Sequence, residues 1–266
     1  MNMIKKKLHS IKSLLLWAVV LGIGSVFLQS CGPDDPEPKP DKTLEIKVNH
    51  TFGAKDIPFL LNTSYVEYVS GDTFTPTTLI YHINFFELSN ASGDRLALDA
   101  NAPYRMVDLG DPKSLTVMQT TIKADLKIFT TLSFTLGVED SLANDQGLLN
   151  SVFTSPMYWG MINGYIHHKV EGNLHSKPSK SVVLHVGGYK SPYKLARRIT
   201  IPLSEPIDLS KGNASLTIQK DMQKYFDGTY RINMNTVNLI HQPGDDAKKI
   251  ADNWSGMFTD GGIEYK

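Results

Sequence analysis

LIYHINFFEL, residues 79–88, is a stretch without proline or glycine, dense in aromatic and β-branched side chains. Such residues suit a pleated, half-buried surface. The turn signal Asn90-Ala91-Ser92-Gly93-Asp94 closes it, so the segment predicts one long strand. Working outward, residues 44–48 alternate apolar and polar, the mark of a strand with one buried face. Further strands are predicted at 104–109, 125–138, 197–203, 214–219 and 232–239. Residues 165–171 and 181–186 predict a strand pair around the loop at 172–180. Helix is predicted only in short pieces, at 220–226 and 245–253, the second capped at Gly244-Asp245. Strands at this spacing, separated by turn signals, predict an all-β fold, a β-sandwich with a few short helices.

The chain has 266 residues, with Lys plus Arg 27 and Asp plus Glu 27, so its formal net charge is zero. That balance offers no basic footprint for a nucleic acid. The single cysteine rules out an internal disulfide, leaving packing to hold the fold. Its position is informative. Lys5, Lys6, Lys7 and Lys12 precede an uncharged apolar run at 14–28. About fifteen residues is short for a membrane span, which needs about twenty, but it fits the apolar core of a secretory signal. Leu28-Gln29-Ser30-Cys31 follows and resembles a bacterial lipobox. The alternative is a plain membrane anchor with an incidental cysteine. The lipobox reading divides the chain into a cleaved signal at 1–30, a lipidated Cys31 with a Pro- and Asp-rich tether at 31–42, and one domain at 43–266. The tether composition predicts an extended, partly polyproline-II spacer. It also resembles surface-export signals of some Gram-negative lipoproteins. Outer membrane or cell envelope, on the periplasmic side or the cell surface, is the expected location.

No G-x-S-x-G elbow, P-loop, dinucleotide fingerprint, H-E-x-x-H or paired-cysteine zinc motif occurs. Lipidation would consume the only thiol. Histidine remains: His50, His82, His167, His168, His175, His185 and His241 lie after the tether. Most strand histidines are packing or surface residues. His185 draws notice because it ends the apolar run Val182-Val183-Leu184 and precedes Gly187-Gly188. His167 and His168 are adjacent in a strand and so point to opposite faces. Imidazole suits copper, zinc, iron and nickel, and thioether sulfur favours Cu(I). Met157 and Met161 flank Trp159, where core filling is the commoner role for methionine.

FTSPMYWGMINGYIHHKVEG at 153–172, with LHVGGY at 184–189, resembles the MbnP-like family. The match continues in order through Asn49-His50-Thr51-Phe52-Gly53, Phe134-Thr135-Leu136-Gly137-Val138, Ile250-Ala251-Asp252-Asn253 and Met257-Phe258. The family comprises periplasmic or lipid-anchored copper-binding proteins, first linked to methanobactin gene clusters. The resemblance implies a β-sandwich and a copper site of two histidines with a tryptophan oxidised to kynurenine by a di-haem enzyme related to cytochrome c peroxidases. Carried to matching positions, it implies His50, Trp159 and His185 as ligands, with their side chains converging. Oxidation would matter because unmodified indole N–H only donates. This sequence departs from the family pattern at Met161, where a second tryptophan is usual, and at His167 and His168, which replace apolar residues. These three are candidate additional ligands.

The expected function is copper capture, storage or delivery outside the cytoplasm, by a binding protein and not an enzyme, held to the membrane by its lipid. The alternative is a surface lipoprotein that keeps the fold without the metal and binds a glycan or a protein through exposed Tyr and Trp. A redox enzyme using a metal ranks behind both, since no acid, base or substrate pocket can be named.

Overall fold

Alternation along each strand decides which side chains are buried, and the computed structural model describes residues 40–98, 104–123, 128–143, 157–160 and 162–266. The signal segment, Cys31 and the tether lie outside the described residues. In chain order the strands are β1 (Lys42–Phe52), β2 (Ala54–Pro58), β3 (Tyr65–Val66), β4 (Thr73–Ser89), β5 (Arg95–Ala97), β6 (Arg105–Asp108), β7 (Thr116–Ile122) and β8 (Phe129–Leu136). They continue with β9 (Tyr158–Gly160), β10 (Gly164–Leu174), β11 (Lys180–Gly187), β12 (Arg197–Ile207), β13 (Ala214–Asp221), β14 (Leu239–Ile240) and β15 (Phe258–Tyr265). Among the described residues, two short α-helices, α1 (Gln223–Phe226) and α2 (Asp245–Asn253), follow β13 and β14.

The strands form two sheets. The small one runs β15-β13-β1-β2, with β7 also paired to β1; the large one runs β12-β8-β4-β10-β11-β14, with β3, β5 and β6 on β4 and β9 on β10. Pairing is antiparallel except for β1 with β13 and β11 with β14. On β1 the buried series is Leu44, Ile46, Val48 and His50; on β13 it is Leu216, Ile218 and Lys220. These face Leu79, Tyr81, Ile83, Phe134, Val170 and Leu184 of the large sheet within one continuous core. Each fully buried aliphatic or phenyl side chain contributes roughly 1.5–3 kcal/mol relative to exposure. Phe134 also meets Phe258 edge to face, with ring centres 5.1 Å apart, tying β8 to β15 across the layers. The chain is thus an all-β sandwich, as its alternation predicts.

Two predicted elements need correction. Residues 232–239 do not form a strand; only Leu239–Ile240 pairs. Asn233 Oδ1 accepts from Asn235 N, and Asn233 O accepts from Thr236 N and Val237 N. Local bonds of this kind compete with a sheet ladder, and here they fold the chain into a turn. The helix predicted at 220–226 begins only at Gln223, because β13 extends through Asp221 and carries Lys220 inward. The 245–253 helix forms with the bounds predicted.

Candidate functional site

Two polar groupings stand out, one on each face of the large sheet. The inner one is built from two cross-strand pairs. On the small sheet His50 lies beside Lys220, and on the large sheet Tyr81 lies opposite His168. All four side chains point into the core and are buried. His50 Nε2 is 3.0 Å from the Tyr81 hydroxyl, and Lys220 Nζ is 2.8 Å from His168 Nε2. The same Nζ stands 3.3 Å from the centre of the Tyr81 ring, which stacks on His168 with an interplanar angle of 10°. Tyr225 and Trp254 pack on His168 at 4.9 Å and 5.6 Å.

Among the described residues no carboxylate pairs with Lys220. Burial alone drives its amine well below the usual lysine range. Burial, reinforced by Lys220, likewise holds both His50 and His168 well below the ordinary imidazole value. Tyr81 is pushed well above the usual phenol range by burial. Burial thus disfavours the charged form of every member of the cluster, a polar seam that joins the two sheets. His168 Nδ1, the Tyr225 hydroxyl and Trp254 Nε1 have no hydrogen-bond partner among the described residues.

The outer grouping centres on His185. In β11, Val182, Leu184 and Val186 point inward, so His185 points out and remains partly exposed. Its Nε2 is 2.7 Å from Glu171 Oε1. Lys169 Nζ is 3.1 Å from the same oxygen, and Thr78 Oγ1 donates to Glu171 Oε2 at 3.1 Å. Neighbouring strands β4, β10 and β11 thus each contribute one part of a fixed chain of bonds. Burial raises the Glu171 pKa, but hydrogen bonds from His185 and Lys169 outweigh it and leave the carboxyl below its usual value. Burial also lowers the His185 pKa, and the Glu171 hydrogen bond offsets only part of that. A neutral imidazole is the ligating form. The His241 ring lies 5.7 Å from the His185 ring, roughly perpendicular to it at 77°.

Trp159 is half-buried on β9 and packs with Ile80, Met157, Ile166 and Met106 on this outer face. The expected ligand set is therefore divided. His185 and Trp159 lie on the outer side of the large sheet, whereas His50 is sealed between the layers against Tyr81. The expected convergence of His50, Trp159 and His185 is not found, because the large sheet itself stands between His50 and His185. His167 uses both ring nitrogens: Nδ1 accepts from Val138 N at 3.0 Å, and Nε2 donates to Gly188 O at 3.1 Å. Burial pushes its pKa down to about 4. His168 belongs to the inner cluster and shares no partner with its neighbour. Met161 and Cys31 lie outside the described residues. Among the described residues, no group of three or more His, Cys, Asp or Glu is arranged to hold a metal.

Sequence reasoning missed Lys220 and gave no role to Glu171 or to His241. Lys220 was detectable: it occupies the next inward position after Ala214, Leu216 and Ile218. Glu171 and His241 gave no such signal, since their partners come from other strands. The double glycine after His185 also proves to serve packing. A Cβ on Gly187 would lie 2.3 Å from the Tyr165 carbonyl oxygen, and one on Gly188 would lie 2.7 Å from the Tyr193 carbonyl oxygen.

Comparison with known proteins gives two matches. A family model described as MbnP matches residues 41–243. Among solved structures the chain is similar to MbnP from Methylosinus trichosporium, with 11% identity and a TM-score of 0.44, over 73% of this chain and 80% of that one. No curated protein matches the chain.

Proposed function

The chain belongs to the MbnP family, and from that premise we propose that it is a lipid-anchored copper-binding protein that captures, stores or delivers copper outside the cytoplasm. The observation that carries this reading is His185. Its imidazole is partly exposed and fixed by Glu171, on the same outer face that Trp159 packs against, and burial lowers its pKa, which favours the neutral ring. Imidazole is a good donor to copper in either oxidation state. Oxidation of Trp159 to kynurenine by a di-haem peroxidase-like partner would add an aromatic amine and a carbonyl beside that face. Lipidation at Cys31 would hold the domain to the outer membrane, with residues 32–42 as spacer. The protein is a carrier, and no chemistry on the bound metal is proposed.

A second reading, docking to a protein partner, has one observation in its favour. Ile57, Leu60, Val66 and Tyr68 expose apolar surface within a short stretch of sequence. Metal analysis separates the two. Full-length protein, extracted in detergent from its native host, should carry near-stoichiometric copper by mass spectrometry, and His185→Ala should lose most of it. Metal-free protein that also takes up neither Cu(I) nor Cu(II) would overturn the copper reading and leave the partner-docking one.

A further inference from the structure

We propose that His241 is the second imidazole of the copper site, the place His50 cannot take, and that Glu171 is the positioning residue that turns His185 Nδ1 toward the metal. This rests on the copper reading above.

The parallel pair β11–β14 sets the register. Val183 lies beside Leu239 and Leu184 beside Ile240, so the next residues, His185 and His241, come together where these neighbouring strands end. His241 is exposed and His185 partly so, which leaves the pair open to an incoming ion. Their ring centres are 5.7 Å apart. With a metal–imidazole bond of about 2.0–2.1 Å, each ring centre stands about 3.2 Å from a shared ion, so two ligating rings lie between about 5.2 Å (tetrahedral) and about 6.4 Å (linear) apart. The observed separation falls inside that interval. Two imidazoles alone satisfy a low-coordinate cuprous ion, and Glu171, the carboxylate beside His185, is engaged with the far ring nitrogen.

Glu171 decides which nitrogen of His185 is available. A carboxylate accepts and cannot donate, so the 2.7 Å contact requires the proton on Nε2. The lone pair then sits on Nδ1, for which the structure gives no hydrogen bond. Lys169 and Thr78 hold Glu171 from the other side. This is the outer-shell arrangement in which a carboxylate fixes the tautomer and orientation of a metal-binding histidine.

The test uses the full chain in detergent, titrated anaerobically with Cu(I) against a chromogenic chelator. Loss of a true ligand in His241→Ala should weaken binding by more than ~100-fold, and loss of the positioning residue in Glu171→Ala by ~10–100-fold. His175→Ala, at the far end of β10, should leave affinity unchanged. Nitrogen-15 NMR of the metal-free protein gives an independent readout. His185 should be the Nε2–H tautomer in the parent and lose that preference in Glu171→Ala. Thermal melts of His241→Ala and of the conservative His241→Gln confirm that both stay folded. If the parent binds Cu(I) and His185→Ala abolishes binding while His241→Ala binds normally, the inference about His241 is wrong and the copper reading stands. An Nδ1–H tautomer in the parent overturns the role of Glu171. A parent that binds no Cu(I) sinks the copper reading and this inference with it.

Discussion

Replacing Lys220 with methionine separates two energies that the buried cluster combines. The amine has no exposure and no carboxylate partner, and burial holds its folded-state pKa well below the ordinary value. In the unfolded chain the same amine titrates near ~10.4. Between those two values the unfolded state carries one proton more than the folded state. Stability therefore rises with pH there, by up to ~1.4 kcal/mol per pH unit for a single lysine. Over each pH unit of that window the parent should gain up to ~1.4 kcal/mol relative to Lys220→Met, which has nothing to titrate at this position. The substitution has a second, pH-independent effect. It keeps most of the side-chain volume but deprives His168 Nε2 of its 2.8 Å partner, a loss of about 1–3 kcal/mol for a buried polar group. The two effects differ in form: one is a slope, the other an offset. Urea unfolding of both proteins at pH 8, 9 and 10, followed by tryptophan fluorescence, measures each. Tyr81 and Tyr225, both raised by burial, are common to the two proteins and drop out of the difference. Parallel stability curves across that range would refute the reasoning, because they would mean that Lys220 is charged in the folded protein.

Three other outcomes follow from the packing. Burial holds His82 at about 3, so below ~6.5 the unfolded state takes up a proton that the folded state refuses, removing up to ~1.4 kcal/mol per pH unit on acidification; His82→Leu should move the acid-unfolding midpoint to lower pH, and circular dichroism showing no move, or the opposite one, would contradict it. Asn253 donates to the carbonyls of Tyr225 and Tyr230 and accepts from Tyr230 N, so Asn253→Ala should cost about 3 kcal/mol by chemical denaturation, while a cost under about 0.5 kcal/mol would count against the role assigned to it. In Gly187→Ala the new methyl group meets backbone and not a flexible side chain. The β10–β11 pair must then shift, and calorimetry should show a loss of about 1–3 kcal/mol; an unchanged melting temperature would contradict that.

Much of the fold was legible because alternation was clean where one face is buried. Leu44, Ile46 and Val48 announce β1, and the 79–88 run announces the centre of β4. The failures have local causes. In β7 the neighbours Val117 and Met118 are both buried, which blurs the period. In β15 the pair Gly261-Gly262 interrupts the pattern, and there the pairing with β13 shifts register, with Gly262 at φ +103°. Residues 232–239 hold two alternating apolar pairs, Ile232 and Met234, then Val237 and Leu239, that fall out of phase at Thr236, and the local bonds to Asn233 win there. The site was less legible, although one error was avoidable. His50 continues the inward series of β1, and His185 interrupts the inward series Val182, Leu184, Val186. A residue facing in from one sheet cannot meet a residue facing out from the other. The motifs at Gly137, His50 and Asn253 carried the family resemblance correctly, but the contacts found there are packing contacts: Gly137 makes room for the His167 ring, which lies within 2.8 Å of where its Cβ would be.

The order of strands in the small sheet bears on how the chain folds as it is delivered end first. Its central strand, β1, opens the domain, while its neighbour β13, and β15 beyond that, come at the close. Asn213 ties the two extremes together, accepting from Thr43 N and exchanging backbone bonds with Lys266. A chain emerging from a ribosome or a translocation channel must hold β1 unpaired on that side until nearly every residue has appeared. Its apolar row, Leu44, Ile46 and Val48, stays uncovered for that time and is open to chaperones and proteases. A product stopped short of β13 never closes the sheet. Closure of the small sheet is thus among the last steps the chain can take, because β13 must be present before β1 and β15 can both be paired.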